Sequence, residues 1–145
     1  MTELKLCQIL LVEDDDTDAE LTLRALKQRH LANEVVRLAD GEEALNFIFC
    51  RGAYAAREQT NPHLVLLDLN LPKVNGIDVL RAIRADERTG SIPVVIMTAS
   101  SAEKDVVESY LLRVNNYLVK PVGTAEFLDV VTESGFLWGL FDKLP

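Results

Sequence analysis

Hydrophobic residues along this chain follow two alternating patterns. In some segments they recur every three or four positions, which predicts helices with one buried face. Between these segments lie short runs rich in apolar residues, which predict strands near 8–12, 34–38, 64–68, 94–97 and 116–119. Strands and helices that alternate in this way are typical of a parallel sheet with helices on both faces. The sequence therefore predicts an α/β fold of five βα units.

Capping residues and connection lengths set the expected boundaries of the helices. Asp16 or Thr17 can cap the first helix, because a short polar side chain accepts a hydrogen bond from the first turn. The fourth helix is expected to span 102–113, and the last helix can extend over 124–141. The segment 51–62 is longer than most connections of this kind, so it is either an extension of the second helix or a displayed loop.

The composition narrows the class of protein. With 145 residues, of which 48% are hydrophobic and 26% charged, the chain fits one folded domain rather than a disordered or membrane protein. No apolar stretch is long enough to span a bilayer and no secretion signal is evident, so we expect a cytoplasmic location. The net charge of -8 disfavours nucleic acid binding, which depends largely on Lys and Arg.

Charged and polar residues stand where the predicted strands end. Glu13 and Asp14 follow the first apolar run, Asp68 ends the third, Thr98 follows the fourth and Lys120 the fifth. The carboxyl ends of the strands in an open parallel sheet share one edge, and ligands bind in the crevice there. We therefore expect three acids, a hydroxyl and an ammonium group to converge in one place.

This set of groups suits phosphoryl chemistry. Carboxylates gathered in a crevice repel one another, and a divalent cation such as Mg²⁺ relieves the repulsion while accepting phosphate oxygens as further ligands. Asp68 can be the nucleophile that forms an acyl phosphate. Lys120 can pair first with Asp68 and then with a phosphoryl oxygen, and Thr98 can donate a hydrogen bond to another. The backbone carbonyl of Asn70 is placed to complete the metal shell.

Four motifs at the strand ends carry a family resemblance, in the order Leu11-Val12-Glu13-Asp14-Asp15, Leu67-Asp68-Leu69-Asn70-Leu71-Pro72, Met97-Thr98-Ala99-Ser100 and Tyr117-Leu118-Val119-Lys120-Pro121. With these motifs the chain resembles the receiver domains of two-component response regulators. The resemblance implies a flavodoxin-like fold with strand order 2-1-3-4-5 and phosphoryl transfer from a histidine kinase to Asp68. It also implies that the chain is not a turnover enzyme, beyond accepting the phosphoryl group and slowly losing it.

The resemblance assigns a role to each site residue. Asp14 and Asp68 would bind Mg²⁺ or Mn²⁺ directly, and Glu13 would act largely through a bound water. Asn70 would contribute its main-chain carbonyl. In this family the positions of Asn70 and Ser100 also tune how fast the phosphoaspartate hydrolyses.

Two further residues would transmit the signal. By the same resemblance Thr98 and Tyr117 form a switch pair, which changes the surface made by the fourth helix, the fifth strand and the fifth helix. The chain departs from the commonest pattern at Glu13, where aspartate is more frequent, and at 111–116, where many receivers have a Gly-Ala pair. Both departures leave the activity plausible.

The segment 51–62, Tyr110 and the aromatic C-terminal stretch resemble a narrower group, the small response regulators of cyanobacterial phytochromes. This implies a single receiver domain over 1–145 with no output domain, a phytochrome as the kinase, and a homodimer formed through the fourth helix, fifth strand and fifth helix. The expected interface residues are aromatic, because aromatic side chains are enriched at interfaces: Tyr110, Phe136, Trp138 and Phe141.

Two other functions remain open at the level of the sequence. A Mg²⁺-dependent phosphohydrolase with an aspartyl nucleophile, of the haloacid dehalogenase type, would carry a second acid two residues after the nucleophile. This chain has Asn70 there, so no general acid is present. The other alternative is a pseudo-receiver that binds partners without phosphorylation, against which the presence of all the key groups counts.

Overall fold

The computed structural model describes residues 8–28 and 34–120, and within them all five predicted strands form one parallel sheet. The strands are β1 (Gln8–Val12), β2 (Glu34–Leu38), β3 (Leu64–Asp68), β4 (Val94–Thr98) and β5 (Asn116–Val119). Their order is β2-β1-β3-β4-β5, which confirms the predicted flavodoxin-like arrangement. The helices are α1 (Asp16–Gln28), α2 (Gly41–Ile48), α3 (Gly76–Ala85) and α4 (Ser101–Ser109). The predicted C-terminal helix lies outside the described residues.

The three central strands are buried because both faces of the sheet are covered. Side chains alternate along each strand, so neighbouring residues enter opposite cores. One core contains Leu10, Val12, Val65, Leu67 and Ile96 with residues of α2 and α3, and the other contains Ile9, Leu11, Leu64, Leu66 and Met97 with residues of α1. The near-continuous apolar runs of the sequence thus reflect burial on two sides.

Two predicted helix boundaries were wrong. The Asp18 N–H donates to Asp15 Oδ1 at 2.8 Å, so Asp15 caps α1 rather than Asp16 or Thr17. The fourth helix ends at Ser109, four residues before the predicted end, and Leu111 has a φ of 56°. A residue in the left-handed region cannot continue a right-handed helix, and such residues commonly end one.

The segment 51–62 is a displayed loop and not an extension of α2. After a short 3-10 turn at Gly52–Tyr54 it has no regular structure, and two side chains fasten it to α2. Arg57 Nε donates to the Phe47 carbonyl oxygen at 2.9 Å, with the guanidinium 4.1 Å from the centre of the Phe47 ring. The Tyr54 hydroxyl donates to Glu43 Oε1 at 2.9 Å.

Gly76 sets how closely α3 begins behind the end of β3. A Cβ atom at Gly76 would lie 2.3 Å from the Asp68 carbonyl oxygen, so any side chain there would push the two backbones apart. The Asn75 side chain caps the helix by accepting a hydrogen bond from the Asp78 N–H at 3.0 Å. The position of Asp68 is therefore fixed by the strand before it and by this tight approach after it.

Candidate functional site

Three carboxylates meet where β1 and β3 end side by side. The strands are parallel neighbours, with Val12 opposite Leu67, so the residues that follow share one edge of the sheet. One oxygen each from Glu13, Asp14 and Asp68 lies within 4.8 Å of the others. Glu13 is fully buried and Asp68 is 4% exposed, whereas Asp14 is exposed to solvent. The predicted convergence of the acids is present.

Lys120 extends from the end of β5 into this group of acids. Its ammonium nitrogen lies 2.7 Å from Glu13 Oε1 and 3.4 Å from Asp68 Oδ2. The nearest partner of the Lys120 ammonium is therefore Glu13, whereas the sequence led us to expect that it pairs with Asp68 before a phosphoryl group arrives. A third carboxylate, Oδ2 of Asp18, accepts from the same ammonium at 3.2 Å.

Burial and neighbouring charge shift the pKa values of this ion pair. Burial raises the pKa of Glu13 to about 7, against the opposing effect of the hydrogen bond from Lys120. Burial alone would lower the pKa of Lys120. The hydrogen bond to Glu13 and the charge of Asp68 outweigh burial, so the pKa of Lys120 is raised above its usual range. Lys120 is charged at all physiological pH values.

Thr98 supplies a hydroxyl without a partner beside this cluster. It ends β4, next to β3 in the sheet, and Asp68 pairs in register with the preceding Met97. The side chain is fully buried, and Oγ1 has no hydrogen-bond partner among residues 8–28 and 34–120. An unsatisfied buried hydroxyl costs about 1–3 kcal/mol, so a ligand oxygen that accepted this hydrogen bond would be bound favourably.

Asn70 and Ser100, predicted to tune hydrolysis, and the predicted switch residue Tyr117 all contact α4. Asn70 is exposed, and its side-chain nitrogen donates to Glu103 Oε2 at 3.2 Å. Ser100 caps α4 by accepting a hydrogen bond from the Glu103 N–H at 3.4 Å. Tyr117 is half-buried in β5, where burial raises its pKa, and the Lys104 ammonium lies 5.1 Å from the centre of its ring.

The structure describes only one of the predicted interface residues. Tyr110 is the C-cap of α4 rather than a residue of its interior, is 48% exposed, and has the Arg81 guanidinium 5.4 Å from the centre of its ring. Phe136, Trp138 and Phe141 lie outside the described residues.

Two residues that support the site could not be assigned to it from the sequence patterns used above. No local signal in the sequence reveals the contact of Asp18 with Lys120, which is 102 positions away. Arg37 in β2 donates from Nε to the Glu13 carbonyl oxygen at 2.9 Å, and its NH1 nitrogen lies 2.9 Å from Asp16 Oδ1. Here a signal existed, since a charged residue inside a strand usually needs a partner.

The donor set fits a hard divalent cation. Carboxylate oxygens are the ligands that such ions prefer, and three lie close enough together to share one ion. The cluster is open to solvent on the side of Asp14, so an ion could keep some of its water molecules. Lys120 offsets part of the negative charge of the acids, so an anionic ligand would meet less repulsion at the same edge.

Comparison with known proteins identifies the family. The response regulator receiver domain family matches residues 9–132. The chain belongs to this family. Receiver domains of this kind work with histidine kinases in two-component signalling and bind divalent metal ions. Within the described parts of the receiver, no helix combines the length and apolar character needed to cross a membrane.

Three response regulators illustrate what this receiver is similar to. Response regulator Rcp1 of Synechocystis sp. is 39% identical to this chain over 90% of this chain and 87% of its own length. The crystal structure of Mn²⁺-bound Rcp1 is 38% identical and has a TM-score of 0.74, over 95% of this chain and 98% of its own. The bacteriophytochrome response regulator RtBRR is 48% identical, with a TM-score of 0.90 over 97% of this chain and 85% of its own. The phosphorylated cyanobacterial phytochrome response regulator RcpA is 38% identical, with a TM-score of 0.76 over 92% of this chain and 95% of its own.

Proposed function

We propose that this receiver accepts a phosphoryl group on Asp68 in a phosphorelay. The observation that carries the proposal is the setting of the Asp68 carboxylate, which is nearly buried, lies 3.4 Å from Lys120, and is grouped with Glu13 and Asp14. A helix-capping or turn carboxylate needs none of these neighbours. The unpartnered hydroxyl of Thr98 adds a hydrogen-bond donor on the next strand.

The transfer step requires little more than alignment and neutralised charge. A carboxylate oxygen of Asp68 forms a bond to phosphorus as the bond from phosphorus to the kinase histidine nitrogen breaks, and that nitrogen keeps the electron pair. The Lys120 ammonium already contacts both Glu13 and Asp68. It can therefore weaken its contact with Glu13 and pair with a phosphoryl oxygen on Asp68. Thr98 can donate to another phosphoryl oxygen.

Glu13, Asp14 and Asp68 would hold the metal, with the main-chain carbonyl of Asn70 as a further ligand, and we propose Mg²⁺ or Mn²⁺. When bound, the ion neutralises charge that accumulates on the carboxylate and phosphoryl oxygens. Rcp1 has a structure in a Mn²⁺-bound form, which supports this assignment. Because Glu13 is buried and paired with Lys120, we expect it to contribute mainly through its charge and through water.

The output of the receiver would be a changed surface. We propose that Thr98 and Tyr117 act as the switch pair, and that the surface formed by α4, β5 and the C-terminal segment mediates a homodimer. Apolar side chains remain exposed on the described part of this surface, which is typical of interaction sites, and they are Val106, Tyr110, Leu111 and Val119. Phe136, Trp138 and Phe141 would extend it. Light scattering of Tyr110→Ala and Trp138→Ala against the unmodified chain tests this, and equal mass and dissociation would contradict it.

The partner would be a histidine kinase of the phytochrome type. The similar proteins RcpA and RtBRR are phytochrome response regulators by name, which supports this choice. The net charge of -8 supports a protein partner over nucleic acid. We propose that this receiver acts in the cytoplasm and not as a turnover enzyme. Transfer of phosphate from candidate phytochrome kinases to Asp68 would test the pairing.

One experiment decides the central proposal. The chain is incubated with acetyl phosphate and Mg²⁺, and intact mass is followed over time. We expect one phosphoryl group per chain, absent in Asp68→Asn and retained in the matched control Asp105→Asn, which removes an exposed acid on α4. Repeated release of phosphate over many turnovers would instead indicate a phosphohydrolase. Absence of any acyl phosphate, with partner binding intact, would indicate a pseudo-receiver.

A further inference from the structure

The carboxylate of Glu103, in the first turn of α4, links two loops at the carboxyl edge of the sheet. Its Oε1 accepts a hydrogen bond from the Ala99 N–H at 2.8 Å, and its Oε2 accepts one from the Asn70 side chain at 3.2 Å. Ala99 comes directly after Thr98, and Asn70 comes two residues after Asp68. One side chain therefore restrains both the loop that follows the acceptor and the loop that follows the hydroxyl.

Helix capping explains only part of this arrangement. Ser100 at the N-cap and Glu103 three residues later match the capping box, in which the glutamate reaches back to the N–H of the cap residue. Here the carboxylate passes Ser100 and accepts from Ala99 instead. The contact with Asn70 has no part in a capping box, because it joins a different loop 33 positions earlier in the chain.

We propose that Glu103 is a positioning residue, which holds the two loops in their unphosphorylated arrangement and is displaced when Asp68 is phosphorylated. This inference rests on the proposed function. A phosphoryl group carries about two negative charges and strong acceptor oxygens. On Asp68 it competes with Glu103 for the donors of the two loops that Glu103 joins, and its negative charge repels the Glu103 carboxylate.

There is space for Glu103 to move. A cleft of about 270 Å³ opens beside it, lined by Leu69, Asn70, Asn75, Ile77, Glu103 and Val106. The adjacent Lys104 lies over the Tyr117 ring, so a shift of the first turn of α4 also changes the surroundings of Tyr117. Displacement of Glu103 thus connects events at Asp68 with the surface of α4 and β5.

The first test measures phosphorylation kinetics of the full chain with acetyl phosphate and Mg²⁺. Glu103→Gln and Glu103→Ala should accept phosphate roughly two- to fivefold faster, because a competing negative charge has been removed. Glu108→Gln is the matched control, since it removes an exposed glutamate on the same helix, and it should match the unmodified chain. Rates in the Glu103 variants equal to the control would overturn the proposal.

The second test measures hydrogen exchange over 101–105 and separates positioning from capping. In the unmodified chain, phosphorylation should speed exchange in this turn. In Glu103→Ala exchange should be fast already and change little. A capping role alone predicts faster exchange in the variant but no effect of phosphorylation on the unmodified chain, and that result overturns the proposal. Absence of phosphate uptake in the unmodified chain would contradict the proposed function. Normal uptake without the expected changes in exchange would contradict only the role of Glu103, so the two failures are distinguishable.

Discussion

The ammonium of Lys120 lies 2.7 Å from the carboxylate of Glu13, and this carboxylate has no exposure to solvent. A buried acid of this kind would be costly alone, because burial disfavours its charged form. The contact with Lys120 therefore offsets part of the cost of burying the Glu13 carboxylate. Stability, metal binding and signalling should all respond to changes in this pair and in the groups around it.

Removal of the lysine should destabilise the metal-free protein. Lys120→Met leaves Glu13 and Asp68 buried with less compensating charge, and loss of one partner from a buried pair is strongly unfavourable. We expect the free energy of unfolding to fall by about 2–4 kcal/mol in urea denaturation with EDTA. Lys73→Met, which removes an exposed lysine 3.7 Å from Asp40, should change it by less than about 1 kcal/mol. Equal effects would show that the Lys120 pair is not special.

The stability of the metal-free protein should depend on pH through Glu13. Its pKa is raised in the folded state to about 7, so between pH 4.5 and 7 the folded state retains a proton that the unfolded state releases. This group therefore lowers the free energy of unfolding as pH rises through that range, and has no further effect above it. Denaturation in EDTA across the range should show a smaller decrease with pH in Glu13→Gln than in the unmodified chain. Mg²⁺ should offset the decrease at higher pH.

Arg37 should affect metal affinity without touching the metal. It donates to the Glu13 carbonyl oxygen and pairs with Asp16, so it fixes the loop that carries two of the acids. Loss of a residue that orients metal ligands typically costs 10- to 100-fold in affinity, and we expect about tenfold weaker Mg²⁺ binding in Arg37→Gln by titration calorimetry. Arg24→Gln, which removes an exposed arginine paired with Glu20, should bind Mg²⁺ as the unmodified chain does. Equal affinity in both variants would contradict this role.

Thr98 should matter for signalling and not for stability. Because its Oγ1 is buried and has no partner in the described chain, Thr98→Val removes an unsatisfied group while keeping the shape. We expect the variant to be as stable as the unmodified chain, or more stable by up to about 1 kcal/mol, in urea denaturation. Phosphorylation should no longer change hydrogen exchange in α4, whereas Thr98→Ser should retain that response. A large loss of stability in Thr98→Val would show that the hydroxyl is bonded in the resting protein.

Much of the fold could be predicted because burial leaves a direct trace in the sequence. Strands covered on two faces are almost wholly apolar, as Leu64–Asp68 is up to its last residue. Polar residues at the carboxyl ends of such strands lie close together in any parallel sheet. The cluster of Glu13, Asp14 and Asp68 follows from that geometry alone. Which acid lies nearest Lys120 does not, because the distances from its ammonium to Glu13 (2.7 Å) and to Asp68 (3.4 Å) differ by less than 1 Å.

Features that depend on a single backbone angle or on distant partners could not be predicted. Leu111, two residues after the end of α4, has a positive φ. Leucine does not predict this conformation, whereas a glycine at the same position would have indicated it. Asp15, Asp16 and Thr17 are all acceptable caps, and the choice among them is made by where the loop after β1 enters the helix.

The contact between Asp18 and Lys120 gives the site a form of redundancy. Three carboxylates from three parts of the chain share one ammonium group, so a ligand that engages either Glu13 or Asp68 does not leave the lysine unpaired. Asp18, on the partly exposed side, can hold the lysine while cations and phosphoryl groups arrive and depart. The lysine can thus exchange one carboxylate partner for another without leaving its charge uncompensated at any step.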